Sequence, residues 1–217
     1  MTTSRIKALQ LAPAQYAPGS PGPTVVLAKQ RELYVLVHDR DAIKEITTDG
    51  NDDEYDEYNE ANGTVWATLS VLVTQDPFPG LNIQNGHEMF WFKTYSENAG
   101  LLEQLERANW VKSTSRKIKQ ALVELPMVEV LLDEVEIAQC CALCEKFEST
   151  RDVERFQRCS RCKKRYYCSV EHQHEDWSDH KLDCKDLRAG NFAAVENRNR
   201  TKLTEMMRQW GGASMSL

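Results

Sequence analysis

All seven cysteines of this 217-residue chain lie between Cys140 and Cys184, and none occurs in the first 139 residues. The chain opens on MTTSRIKALQLAPAQYAPGSPGP, which lacks the apolar core of a secretory signal, so an odd cysteine count in one short window favours metal ligation over a disulfide framework. A segment this short buries little apolar surface, and metal would have to supply its folding energy. The chain therefore divides into a metal-dependent module and a longer N-terminal stretch able to form its own core.

Spacing names the candidate ligands. CALC supplies Cys141 and Cys144, and CSRC supplies Cys159 and Cys162. A CxxC places two sulfurs on a tight turn where both reach one ion. Downstream, Cys168 and His172 are four residues apart, as are His180 and Cys184, which on a helix puts each pair on one face. Two knuckles and two helical pairs make eight ligands and two tetrahedral Cys₃His sites, a donor set that suits Zn²⁺ and leaves no open position, so both ions are expected to be structural. Each site would carry about one net negative charge, which Arg155, Arg158, Arg161, Lys163, Lys164 and Arg165 could offset. Cys140 makes no CxxC with Cys144 and is expected to be a buried or free thiol. His174 lies six residues after Cys168, pointing away from it on a helix, and is expected to face solvent. Which knuckle joins which helical pair is open on spacing alone.

With Tyr167-Cys168-Ser169, His172-Gln173, Asp176-Trp177 and His180/Cys184 behind the two knuckles, residues 141–184 resemble a MYND-type zinc finger. The likeness covers about a fifth of the chain. It departs from the family pattern in a longer gap between the knuckles, read as a loop insertion, and in His172, which stands where cysteine is usual. The resemblance implies a cross-braced topology: Cys141, Cys144, Cys168 and His172 on one zinc, Cys159, Cys162, His180 and Cys184 on the other. It also implies a protein-interaction module that binds proline-containing peptides at positions matching Ser160, Gln173 and Trp177. An amide and an indole one helical turn apart suit an extended proline peptide. The competing reading makes Trp177 core packing between the zinc sites.

The remaining chain reads as a small α+β domain with a mixed or antiparallel sheet over residues 24–135, behind a flexible Pro- and Gly-containing segment, residues 1–23. ELYVLVH has strand character, TVWATLSVLVT alternates apolar residues, and HEMFWFKTY is aromatic enough for a strand buried on both faces. SENAGLLEQLERAN predicts a helix presenting Leu101, Leu102, Leu105 and Ala108, capped by Ser96 or Asn98. ALVELPMVEVLLDE is extended, with Pro126 at an edge, bulge or break. A C-terminal helix over residues 187–210 would carry Leu203, Met206, Met207 and Trp210 on one side.

Function follows from the module. The expected activity is zinc-dependent protein–protein interaction, as an adaptor or regulator that is not an enzyme, in the cytoplasm or nucleus. The alternative is catalysis in the N-terminal domain with the finger recruiting substrate, yet no GxSxG, P-loop or GxGxxG occurs there. About 140 residues before the finger and about 33 after it are too few for a split SET domain. His38, Asp39, Arg40 and Asp41 read as a solvated turn. Asp49, Asn51, Asp53, Glu57 and Glu60 imitate an EF-hand loop, but Glu54 stands where glycine is required, so a solvated acidic loop is expected. A net charge of −6 disfavours broad nucleic-acid binding, leaving the 155–165 basic run as the lesser alternative. No stretch approaches the length of a membrane span.

Overall fold

The computed structural model describes residues 5–12, 22–30, 33–39, 65–71, 83–84, 87–150, 155–191, 194–195, 197–198 and 201. They form two units, Met1–Cys141 with Glu145–Arg155, and Ala142–Cys144 with Phe156–Leu217. The acidic stretch at 49–60, Arg40 and Asp41, the prolines at 13, 18 and 21, and the four apolar positions from Leu203 to Trp210 lie outside the described residues.

In the first unit the strands are β1 (Ala8–Gln10), β2 (Thr24–Gln30), β3 (Leu33–His38), β4 (Val65–Thr68), β5 (Ile83–Gln84), β6 (His87–Trp91), β7 (Val111–Gln120), β8 (Val123–Val130) and β9 (Ala138–Gln139). One sheet runs β1-β2-β3-β4, with β9 joining β2 in parallel beside β1; the other runs β5-β6-β8-β7, antiparallel throughout. The continuation of β4 links them: Ser70 bridges to Phe92, and the Val71 N–H donates to the Trp91 carbonyl at 2.9 Å.

Strands β2 and β3 are buried on both faces, which is why they read as continuous apolar runs. Val25, Leu27, Tyr34 and Leu36 enter a core shared with Phe90, Phe92, Val128 and Val130 of the second sheet. Val26, Ala28, Val35 and Val37 enter a separate cluster with Ile6, Ala138 and Phe147. Strand β6 divides its aromatics in the same way, Phe90 and Phe92 to the shared core, Met89 and Trp91 against Leu125 and Met127. The alternation in TVWATLSVLVT buries Ala67 and Leu69 but leaves Val65 exposed.

Several local expectations are corrected. Residues 8–10 of the supposed lead-in form β1, anchored by the buried Ile6 and Leu11. Helix α1 (Leu101–Arg107) starts at Gly100, whose φ of 78° is the left-handed conformation that favours glycine, and has no side-chain cap. Asn98 is instead buried and donates to the carbonyls of Thr68 and Lys93, both at 2.8 Å. Asp39 is also buried, accepting from the Thr150 hydroxyl at 2.9 Å, so the turn at His38 is not simply solvated. Pro126, by contrast, sits as expected at a bulge: it lies in β8, an interior strand, where the β7 register shifts between Ser113 and Lys117, which accommodates the missing N–H.

The second unit contains the hairpin of β10 (Gln157–Arg158) and β11 (Tyr166–Tyr167), then α2 (Val170–Ala189). Ser169 caps α2 by accepting the His172 N–H at 3.2 Å, and Gly190, in the left-handed conformation, ends it. Leu187 therefore belongs to α2, and the expected single helix over 187–210 is broken at Gly190; residues 194, 195, 197, 198 and 201 are helical beyond the break. No described helix is long and apolar enough to cross a membrane.

Candidate metal centres

Helix α2 buries a face unlike an ordinary amphipathic stripe: Asp176, His180, Asp183, Cys184 and Leu187. Its partners are Cys159, Cys162, Tyr167 and Val195, so three of the buried cluster's six members are thiols. So little apolar area cannot offset the entropy of ordering the chain, and the polar face needs a ligand to organise it.

Two sets of donors are gathered. Cys141, Cys144, Cys168 and His172 form one, and Cys159, Cys162, His180 and Cys184 the other; within each, the donor atoms all lie within 4.8 Å of one another. With Zn–S near 2.3 Å and Zn–N near 2.0 Å, a tetrahedral ion sets sulfurs roughly 3.8 Å apart, and sulfur and nitrogen roughly 3.5 Å apart. In the first set the Cys144 and Cys168 sulfurs are 3.6 Å apart, and Cys168 Sγ is 3.0 Å from His172 Nδ1. In the second, Cys159 and Cys184 are separated by 3.9 Å, and Cys162 Sγ lies 3.5 Å from His180 Nε2. The residues fit two zinc ions in a cross-braced arrangement, the first knuckle with the start of α2, the second with its middle. Zinc would neutralise crowded thiolates and fix the chain around them.

The electrostatics suit metal. His180 is fully buried, and burial first, then the Arg165 cation, holds its imidazole below the ordinary value, favouring the neutral form that ligates. Burial pushes the Cys184 thiol up to about 11, helped by the neighbouring Cys159 and Cys162 sulfurs. Burial opposes ionisation of Cys159 too, but the backbone N–H groups of Cys162 and Arg161 outweigh it, and this thiol lies below its usual range. Without a cation the sulfurs of this site compete for charge; a dication removes the competition.

A charged frame surrounds the second site. Arg165 donates to Asp176 at 2.9 Å and to Asp183 at 3.0 Å, and the Tyr167 hydroxyl donates to Asp176 at 2.7 Å. Arg198, beyond the helix break at Gly190, donates to Asp183 and Asp186 at 2.8 and 2.7 Å. Asp183, Asp186 and Arg198 escape sequence reasoning because no spacing marks a contact made after folding. Of the basic run, Arg165 is held by these carboxylates, Arg155 by Glu148, and Arg161 lies over the Trp177 ring at 5.5 Å.

Cys140 and His174 belong to neither donor set. The Cys140 thiol is half-buried and donates to the Glu145 carbonyl at 3.4 Å, while His174 is exposed. Among the groove positions, Ser160 is exposed and Gln173 half-buried. Trp177 is 36% exposed, with its ring edge-on to His180 at a centroid distance of 5.7 Å. Through Arg161, the turn that carries Ser160 reaches the Trp177 ring.

Comparison with known proteins places the same segment. The MYND finger family matches residues 141–184. Egl nine homolog 1 of Homo sapiens is 47% identical over 47 residues, 22% of this chain and 10% of that protein. SET domain and MYND-type zinc finger protein 6 of Schizosaccharomyces pombe is 40% identical over 63 residues, 29% of this chain and 12% of its own length. N-lysine methyltransferase SMYD2 of Bos taurus is 50% identical over 34 residues, 16% of this chain and 8% of that protein. The chain thus spans about a tenth of the length of these curated relatives. No solved structure matches it significantly. Residues 141–184 are a MYND finger, a zinc-binding protein-interaction module with two Cys/His clusters.

Proposed function

We propose that the chain is an adaptor whose finger recognises short proline-containing segments of partner proteins through Ser160, Gln173 and Trp177, in the cytoplasm or nucleus. The observation that carries this reading is Trp177, a large aromatic left 36% exposed on a helix pinned by ligands of both zinc sites. Its indole is braced from below by His180 and flanked by the Arg161 guanidinium, so little side-chain entropy remains to be lost on binding. Gln173, one turn earlier, offers an amide to a peptide carbonyl, and a proline peptide is already extended before it docks.

The adaptor reading, as opposed to an enzyme, rests on eight protein donors filling both coordination spheres, which leaves no position for an activated water. The methyltransferase name of one relative lends this chain no activity, because that likeness is confined to the finger. Affinity capture from cell extract with the zinc-loaded intact chain and with Trp177→Ala tests the reading. Partners recovered by the wild type and lost by the variant support it; identical recoveries overturn it.

A further inference from the structure

The longer gap between the two knuckles has a structural role. Residues 145–155 of that gap group with the N-terminal unit, while 142–144 and the chain from 156 onward group with the other. The segment 139–148 is a hairpin. Gln139 accepts the Glu148 N–H at 3.0 Å, Cys140 bridges to Phe147, and the Cys141 N–H donates to the Lys146 carbonyl at 2.8 Å. Its root is the N-terminal sheet itself: Ala138 and Gln139 pair with β2, and Phe147, 3% exposed, packs with Ile6, Val26 and Val37. Its tip is the turn from Cys141 to Cys144.

Closing this hairpin is an ion pair between the buried Glu148 and the partly exposed Arg155. The Glu148 side chain is fully buried and accepts the Gln139 backbone N–H at 2.8 Å. Arg155 donates to the same carboxylate through Nε at 2.9 Å and Nη2 at 2.8 Å, and to the carbonyls of Val135 and Ile137 at 2.6 and 2.9 Å. One arginine thus fastens the chain entering β9 to the chain leaving the knuckle. A carboxylate buried this completely is tolerated only because its partners are complete.

We propose that Glu148 and Arg155 are positioning residues for the first zinc: they close the hairpin that carries Cys141 and hold that ligand in its ligating geometry. The ligands of the second site, Cys159, Cys162, His180 and Cys184, lie outside this hairpin. Groups outside the ligand sphere that orient ligands change metal affinity by about 10- to 100-fold when removed.

The test uses the full zinc-loaded chain in competition with a chromogenic chelator. Wild type and Glu148→Gln are compared, with released zinc followed in time. The expected result is that one of two zinc equivalents leaves about 10-fold faster or more in Glu148→Gln while the other keeps its wild-type rate. Equal acceleration of both, or of neither, overturns the proposal.

Discussion

Trp177 lies edge-on to His180, ring centroids 5.7 Å apart at 68°, so the residue proposed to meet a partner rests directly on a member of the second donor set. The recognition surface and the zinc scaffold share one turn of α2, and separating them experimentally requires substitutions that change one without the other.

Trp177→Ala is such a substitution. Because its ring is partly exposed and donates no metal ligand, the variant should retain two zinc ions by elemental analysis. Loss of a buried-on-binding aromatic anchor should weaken peptide affinity by about 30-fold, equivalent to about 2 kcal/mol. Calorimetric titration reads both stoichiometry and affinity.

Ligand assignments are checked by counting metal. Cys140→Ser and His174→Ala should each bind two zinc ions, since neither residue is in a donor set. His172→Ala, Cys144→Ser, His180→Ala and Cys162→Ser should each lower zinc retention under chelator challenge by about one ion per chain. A loss of stoichiometry in Cys140→Ser would reassign the first knuckle.

Much of this was legible in the sequence because metal ligation demands fixed residue types at short spacings: Cys141, Cys144, Cys159 and Cys162 announce themselves without help from tertiary structure. Helix α2 was legible from its ligand spacing and not from hydrophobic periodicity, since its buried face contains Asp176, His180 and Asp183. Strand β7 escaped notice because Lys112, Ser113, Thr114, Lys117 and Lys119 give it little apolar signal, as befits an edge strand. Strand β1 was hidden by its brevity before a proline-rich stretch. Glu148 and Arg155, seven residues apart in a loop, become a pair only once the hairpin folds onto the sheet.

The frame around the second site should matter for stability. Asp176→Ala leaves Arg165 with one carboxylate and the buried Tyr167 hydroxyl without its acceptor. Removing one member of such a buried network costs about 3–5 kcal/mol. Thermal unfolding of the zinc-loaded variant, followed by Tyr and Trp fluorescence, should show a clearly lowered midpoint.

Zinc binding should tighten as pH rises. Zinc must displace a proton from the Cys184 thiol, which burial and its sulfur neighbours push up to about 11. His180, held below its ordinary value, is already neutral above about pH 6.5 and adds no further proton there. Apparent affinity measured against a competing chelator should therefore increase from about pH 6 to about pH 8; a flat profile would count against thiolate ligation.

The most direct test of the central claim is titration of the zinc-loaded chain with a panel of proline-containing peptides, in parallel with Trp177→Ala shown to hold two zinc ions. Saturable binding by the wild type is expected, about 30-fold weaker in the variant, with little dependence on salt. Binding that survives Trp177→Ala unchanged contradicts it. So does preference for nucleic acid with a slope near −0.9 per phosphate contact, which would return the 155–165 basic run to first place.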